Sequence, residues 1–212
     1  MKTITTAIVM LFSVIAFTQS DKQLAVFAGA SYQPILIENQ IGASLNARYY
    51  IQEKLSAGVD FMYTSEKYSQ GFGFDTDRTL MYNLNINSLL QYDVVKNEKF
   101  SAGIYVLSGI SIVTLRNMND TKTEEVQTEV DGVWYTYEVE VPRRLDRTTY
   151  FIITPGIDAS YKLATLDSEF NTNLYLTARL GYQKALGKNA FSKPENFTDA
   201  VFSLGVTIKG SL

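Results

Sequence analysis

The sequence predicts an all-β chain: an eight-stranded antiparallel up-and-down transmembrane β-barrel with an extended extracellular hairpin. Three observations carry that expectation. Residues 80–93 place Leu80, Tyr82, Leu84, Ile86, Leu90 and Tyr92 on one parity, and Met81, Asn83, Asn85, Asn87, Gln91 and Asp93 on the other. A period of two is the signature of a strand with one apolar and one polar face, and about a dozen such residues suit a tilted strand crossing a bilayer. Second, the rhythm returns about eight times along the chain, with connections alternating between short and long as in membrane barrels. Third, the polar parity carries Gly, Ser, Thr, Asn and Gln with few charges, whereas a solvated surface is roughly a quarter to a third charged.

Composition narrows the function classes. The 212 residues carry a net charge of -3 and are 19% charged, which suits a single β-rich domain and lacks the basic excess that steers a chain to nucleic acid. There is no Cys and no His. Thiol nucleophiles, His-supported zinc sites and Ser-His-acid triads are therefore excluded, and no catalytic residue, metal or cofactor is expected. Hydrolysis by carboxylates alone, through Asp60 and Asp158, is the one formal enzymatic alternative.

Residues 1–18 read as a signal peptide: Lys2 supplies a positive leader, and residues 7–17 form an apolar run too short to cross a bilayer as a helix. Cleavage before Gln19 would leave residues 19–212 as the barrel domain, destined for the cell outer membrane. The first strand runs over 22–33, with Leu24, Val26, Ala28, Ala30 and Tyr32 outward, and Pro34 is expected to end it. The second covers 41–52 and turns through Glu53 and Lys54 into a third over 55–64. A polar connection over 65–77, in which Gly71-Phe72-Gly73 reads as flexibility, precedes the strand over 80–93. The fifth strand covers 100–112.

Residues 116–147 break the rhythm. Within them, Asp131-Gly132 stands between alternating runs, a strong hairpin signal, so the segment reads as a two-stranded flap above the membrane. A sixth strand over 150–161 contains Pro155, a seventh covers 174–183, and an eighth covers 200–209. This assignment leaves Tyr32, Tyr63, Tyr82, Phe151, Tyr182 and Phe202 near one rim, and Tyr49, Tyr92, Phe100 and Tyr161 near the other. Two aromatic girdles are the mark of a membrane barrel. The competing architecture is a soluble lipocalin-like barrel, in which the apolar parity would line a ligand cavity.

The leader, the strand rhythm and the terminal strand with Phe202, Leu204, Val206 and Ile208 resemble the eight-stranded outer-membrane β-barrel family that includes the OmpA membrane domain, OmpX and the PorT-like barrels. Members commonly end in an aromatic residue where this chain has Leu212. The resemblance covers essentially all of the mature chain and identifies the architecture rather than the family member. A structural or surface-binding role through the extracellular loops is the expectation that follows from the exposed flap and the missing catalytic residues. The architecture also implies an interior just wide enough for side chains to fill.

Two groups of residues are candidates for function. Arg48, Asp60, Asp158 and Arg179 all point inward, where dry charges must pair, so a crossed carboxylate-guanidinium network is expected: either a structural plug or the gate of a small channel or transporter. Trp134, Tyr135 and Tyr137 lie beside the hairpin turn and suit a surface-binding role, with a protein or glycan as partner besides the outer-membrane lipid. The acids Asp75, Asp77, Asp120, Glu124, Glu125, Glu129 and Asp131 lack a calcium-loop spacing and read as solvated loops.

Overall fold

The computed structural model describes residues 23–35, 38–131, 133–187 and 193–211. The leader expected over 1–18 lies outside them, as does Gly132. Eight strands follow one another: β1 (Gln23–Ile35), β2 (Glu38–Tyr50), β3 (Leu55–Tyr68), β4 (Thr79–Lys96), β5 (Phe100–Val130), β6 (Val133–Asp167), β7 (Thr172–Leu186) and β8 (Asp199–Ser211). Each pairs antiparallel with its neighbours, and β1 closes on β8 from Gln23↔Ser211 to Tyr32↔Phe202. Closure leaves no unpaired edge around the ring, the condition a sheet must meet in hydrocarbon.

Burial decides which face meets lipid. Asn83, Asn85, Asn87 and Gln91 of β4 are buried inside the ring, while Leu45, Val59, Leu90, Ile104, Ile157 and Leu204 stand exposed outside it. The soluble alternative requires the reverse arrangement and is overturned. The outward face is an apolar belt of the transmembrane type, with Tyr32 paired to Phe202 at one end and Phe100 to Tyr161 at the other. Rings of Tyr63 and Tyr82 meet at 6.1 Å on the upper girdle.

Several expected boundaries move. β1 runs through Pro34, which pairs with Asn39. It tolerates proline because its register with β8 has already ended at Tyr32, so no partner on that side is deprived of a donor. The turn after β2 begins at Ile51 rather than Glu53, with Ile51 N donating to Leu55 O at 2.8 Å. Pro155 is likewise accommodated: the β6–β7 pairing lapses between Ile153↔Lys184 and Gly156↔Gly181 and resumes in the same register.

The flap is not a separate element. β5 and β6 form one ladder of 31 and 35 residues that rises out of the ring to Val130↔Val133. Its register shifts at Leu115/Arg116 and again at Asn117/Thr121, where the ribbon leaves the wall. Asp131 takes φ of 53° at the tip, the left-handed geometry a two-residue hairpin turn demands.

The bore is closed at the long-loop end by apolar side chains. Ile35, Met81, Val113, Leu115, Tyr150, Ile152 and Phe197 form a buried cluster, with Phe72, Phe74 and Leu145 packed on it. Phe197 comes from a short 3-10 turn, Pro194–Phe197, and lies 4.9 Å from the Tyr150 ring. The loop expected to be merely flexible is folded onto this cap: Phe72 meets Tyr68 edge-on at 5.3 Å, and Phe74 N donates to Gly71 O.

Candidate functional site

Below the cap, the inward parity assembles a buried polar network from strands on all sides of the bore. Arg179 of β7 donates from Nη1 to Asp60 Oδ1 of β3 at 2.6 Å. Arg48 of β2 faces Asp158 of β6 at 3.6 Å and donates to Gln91 Oε1 at 2.9 Å. Gln91 Nε2 in turn donates to both Asp93 Oδ1 and Asp158 Oδ1, each at 2.9 Å, and Tyr50 hydroxyl donates to Asp93 Oδ2 at 3.0 Å. All four charged residues singled out from the sequence lie within this layer as two ion pairs.

Gln91, Asp93, Tyr50 and Tyr105 complete the layer and were not singled out. Arg179 stacks over the Tyr105 ring at 4.5 Å. The slot for that ring exists because its neighbours are glycines: a Cβ at Gly156 would lie 2.4 Å from Tyr105 Cζ, and one at Gly181 2.7 Å from its hydroxyl oxygen. Paired small residues facing a ring across three strands were visible in the sequence only once the register was known. Beside the network, the space bounded by Asp60, Asn85, Tyr105 and Arg179 is a cavity of about 20 Å³, which holds about one water.

The hairpin divides the other candidate set. Side chains directly opposed in an antiparallel pair share a face, so the register Val126↔Tyr137, Thr128↔Tyr135 and Glu124↔Val139 puts both tyrosines on one side with Val126 and Val139. Thr128 Oγ1 and Tyr137 hydroxyl are hydrogen-bonded there at 2.7 Å. Trp134 points the opposite way, opposed to Glu129, on the face that also carries Glu125 and Glu138. The three aromatics are all exposed, Trp134 at 65%, but they do not form a single cluster.

At the root of the hairpin the charge changes sign. Lys122, Arg143, Arg144, Arg116 and Glu124 line a cavity of about 290 Å³. Lys122 Nζ meets Glu124 Oε1 at 2.5 Å, and that hydrogen bond holds the Glu124 carboxyl below its ordinary range. Arg143 meets Asp120 at 3.2 Å, and Asp77 accepts from Asn119 at 2.6 Å. Asp77, Asp120 and Glu124 thus each have a separate partner, and among the described residues no group of three acids is placed to hold a metal ion.

No protein-family model matches the chain, and no curated protein matches it in sequence. Among solved structures it is similar to Ail, the attachment invasion locus protein of Yersinia pestis, in complex with the heparin analogue sucrose octasulfate. Identity is 11%, the TM-score is 0.52, and the match covers 90% of this chain and 99% of that one. The outer membrane protein Ail in a phospholipid bilayer nanodisc matches at 13% identity and a TM-score of 0.42, over 90% and 99% of the two chains. Neisserial surface protein A matches at 13% identity and a TM-score of 0.39, over 91% and 98%. The chain therefore has the fold of a small barrel of the outer-membrane type.

Proposed function

We propose that this chain is a non-enzymatic outer-membrane barrel that binds a partner at the cell surface through the β5–β6 hairpin. The leader over residues 1–18 fits export to that membrane. One observation carries the reading: the hairpin's ladder of ten pairs from Thr121↔Pro142 to Val130↔Val133, about 30 Å of ribbon at ordinary strand rise, exposes Val126, Val133, Tyr135, Tyr137 and Val139, and among the described residues no element covers them. An uncovered aromatic and β-branched face with two free edges suits docking, by contact or by strand addition.

Charge selects among partners. The opposite face and the tip are acidic, with Glu125, Glu129, Asp131 and Glu138, so the ribbon repels a polyanion. The complex of Ail with a heparin analogue supports ligand binding on this fold, but the ribbon's charge favours a protein surface of apolar or basic character. Within the wall, Arg48, Asp60, Asp158 and Arg179 act as a structural plug.

The test is binding of surface or extracellular proteins to the full chain in nanodiscs. Tyr135→Ala with Tyr137→Ala weakens binding about tenfold or more, the scale of an interface hot spot, whereas Trp134→Ala on the acidic face has the smaller effect. Unchanged binding by the double tyrosine variant, with the barrel folded, removes the hairpin face from consideration.

A further inference from the structure

The arginines at the hairpin root stand against an apolar, aromatic part of the outer wall, where Arg116 and Arg147 line a cavity with Tyr63 and Tyr82. Arg116 and Arg147 rise from paired strands, with Thr114↔Arg147 and Arg116↔Arg144 in the β5–β6 register. None of the ion pairs among the described residues involves Arg116, Arg144 or Arg147. Arg116 lies over the Tyr82 ring at 5.6 Å and donates from Nη1 to Pro142 O at 3.2 Å, while its enclosed Nε has no hydrogen-bond partner. A cavity of about 280 Å³ opens here on the outside of the wall, floored by Tyr63, Tyr82, Leu84 and Ile112 and rimmed by Arg116 and Arg147.

Floor and rim ask for different things. The floor belongs to the apolar belt and the aromatic girdle, where acyl chains lie. The rim carries two guanidinium groups outside any direct ion pair, with Glu124 the nearby acid that acts on Arg116, and guanidinium pairs bidentately with phosphate. A soluble polyanion satisfies the rim and leaves the floor bare; an uncharged lipid does the opposite. Only an anionic amphiphile fits both.

We propose that Arg116 and Arg147 clamp the phosphate of an anionic lipid in the leaflet facing the hairpin, its chain resting on Tyr63 and Tyr82. This rests on the membrane reading above but is independent of what the hairpin tip binds. In that role the lipid would anchor the root of the hairpin at the height where the ribbon leaves the wall.

The experiment places the full chain in phosphatidylcholine nanodiscs doped with diphosphorylated lipid A or with its dephosphorylated form, and counts retained lipid by native mass spectrometry after transfer to detergent. The parent retains the phosphorylated lipid about tenfold better than Arg116→Gln with Arg147→Gln, as expected for losing charge-assisted hydrogen bonds. Lys162→Gln, at the opposite end of the barrel, retains it like the parent. Arg147→Gln alone, at an exposed position, gives a partial loss and serves if the double variant does not fold. Equal retention of both lipid forms, equal retention by the arginine variants, or full displacement by inorganic phosphate or sucrose octasulfate overturns the clamp. Failure of the parent to show a heat-modifiable gel shift in the nanodisc overturns the membrane reading instead.

Discussion

Asp60 and Arg179 stand 119 residues apart in sequence and meet at 2.6 Å inside the bore. Burying two charges costs several kcal/mol per ion, and the pair is tolerated because each supplies what the other has lost in water. Removing one partner is therefore worse than removing both. Asp60→Ala should lower stability by about 3–5 kcal/mol by leaving a buried guanidinium unpaired, whereas Asp60→Leu combined with Arg179→Met should cost much less. Urea unfolding from lipid vesicles measures both, and a single variant as stable as the double would show that the pair does not hold the wall. The inward direction of these residues was legible because parity alone fixes it. Which carboxylate met which guanidinium was not, since that depends on barrel closure; nor was the role of Gln91, whose amide joins Arg48, Asp93 and Asp158 through contacts that no spacing in the sequence encodes.

Strands were legible for the same reason, one alternating run at a time, but their ends were not. Pro34 and Pro155 looked like interruptions because proline lacks a donor; both sit where the ladder on one side has ended or lapsed, a property of the neighbouring strand rather than of the proline. The flap's two strands and Asp131 turn were readable, while its continuity with β5 and β6 was hidden by the register shifts at Leu115/Arg116 and Asn117/Thr121. Those shifts rotate the side-chain pattern, which is why the rhythm broke at Arg116 although the ladder did not. They also decouple the ribbon from the wall. Deleting residues 121–142 and joining Asp120 to Arg143 through Asn-Gly should leave the heat-modifiable gel shift intact and stability within about 1 kcal/mol of the parent, because shortening a connection changes closure entropy little. The same deletion should abolish partner binding. Loss of the gel shift would mean instead that the ribbon helps the wall to form.

At the scale of the whole molecule, the channel alternative meets two successive obstructions. A narrow eight-stranded ring must fill its interior with side chains, and this one does so in layers. Apolar side chains from the wall and the loops close the long-loop end around Tyr150 and Phe197, and below them Arg48, Gln91 and Asp158 link β2, β4 and β6 across the bore. The cavity beside Asp60 and Arg179, about 20 Å³, admits no hydrated ion. Sequence reasoning reached the narrow ring by counting strands but not the cap, because Phe72, Phe74 and Phe197 lie in connections, where alternation gives no direction. Planar-bilayer recording of the parent should therefore show no steady conductance. Phe197→Ala should not open it either, since thinning the upper seal leaves the charged layer beneath it joined. Disrupting both layers, by adding Arg48→Ala to Phe197→Ala, is the variant expected to leak. Steady openings from the parent, altered by Arg179→Ala, would return Arg48, Asp60, Asp158 and Arg179 to the role of a gate.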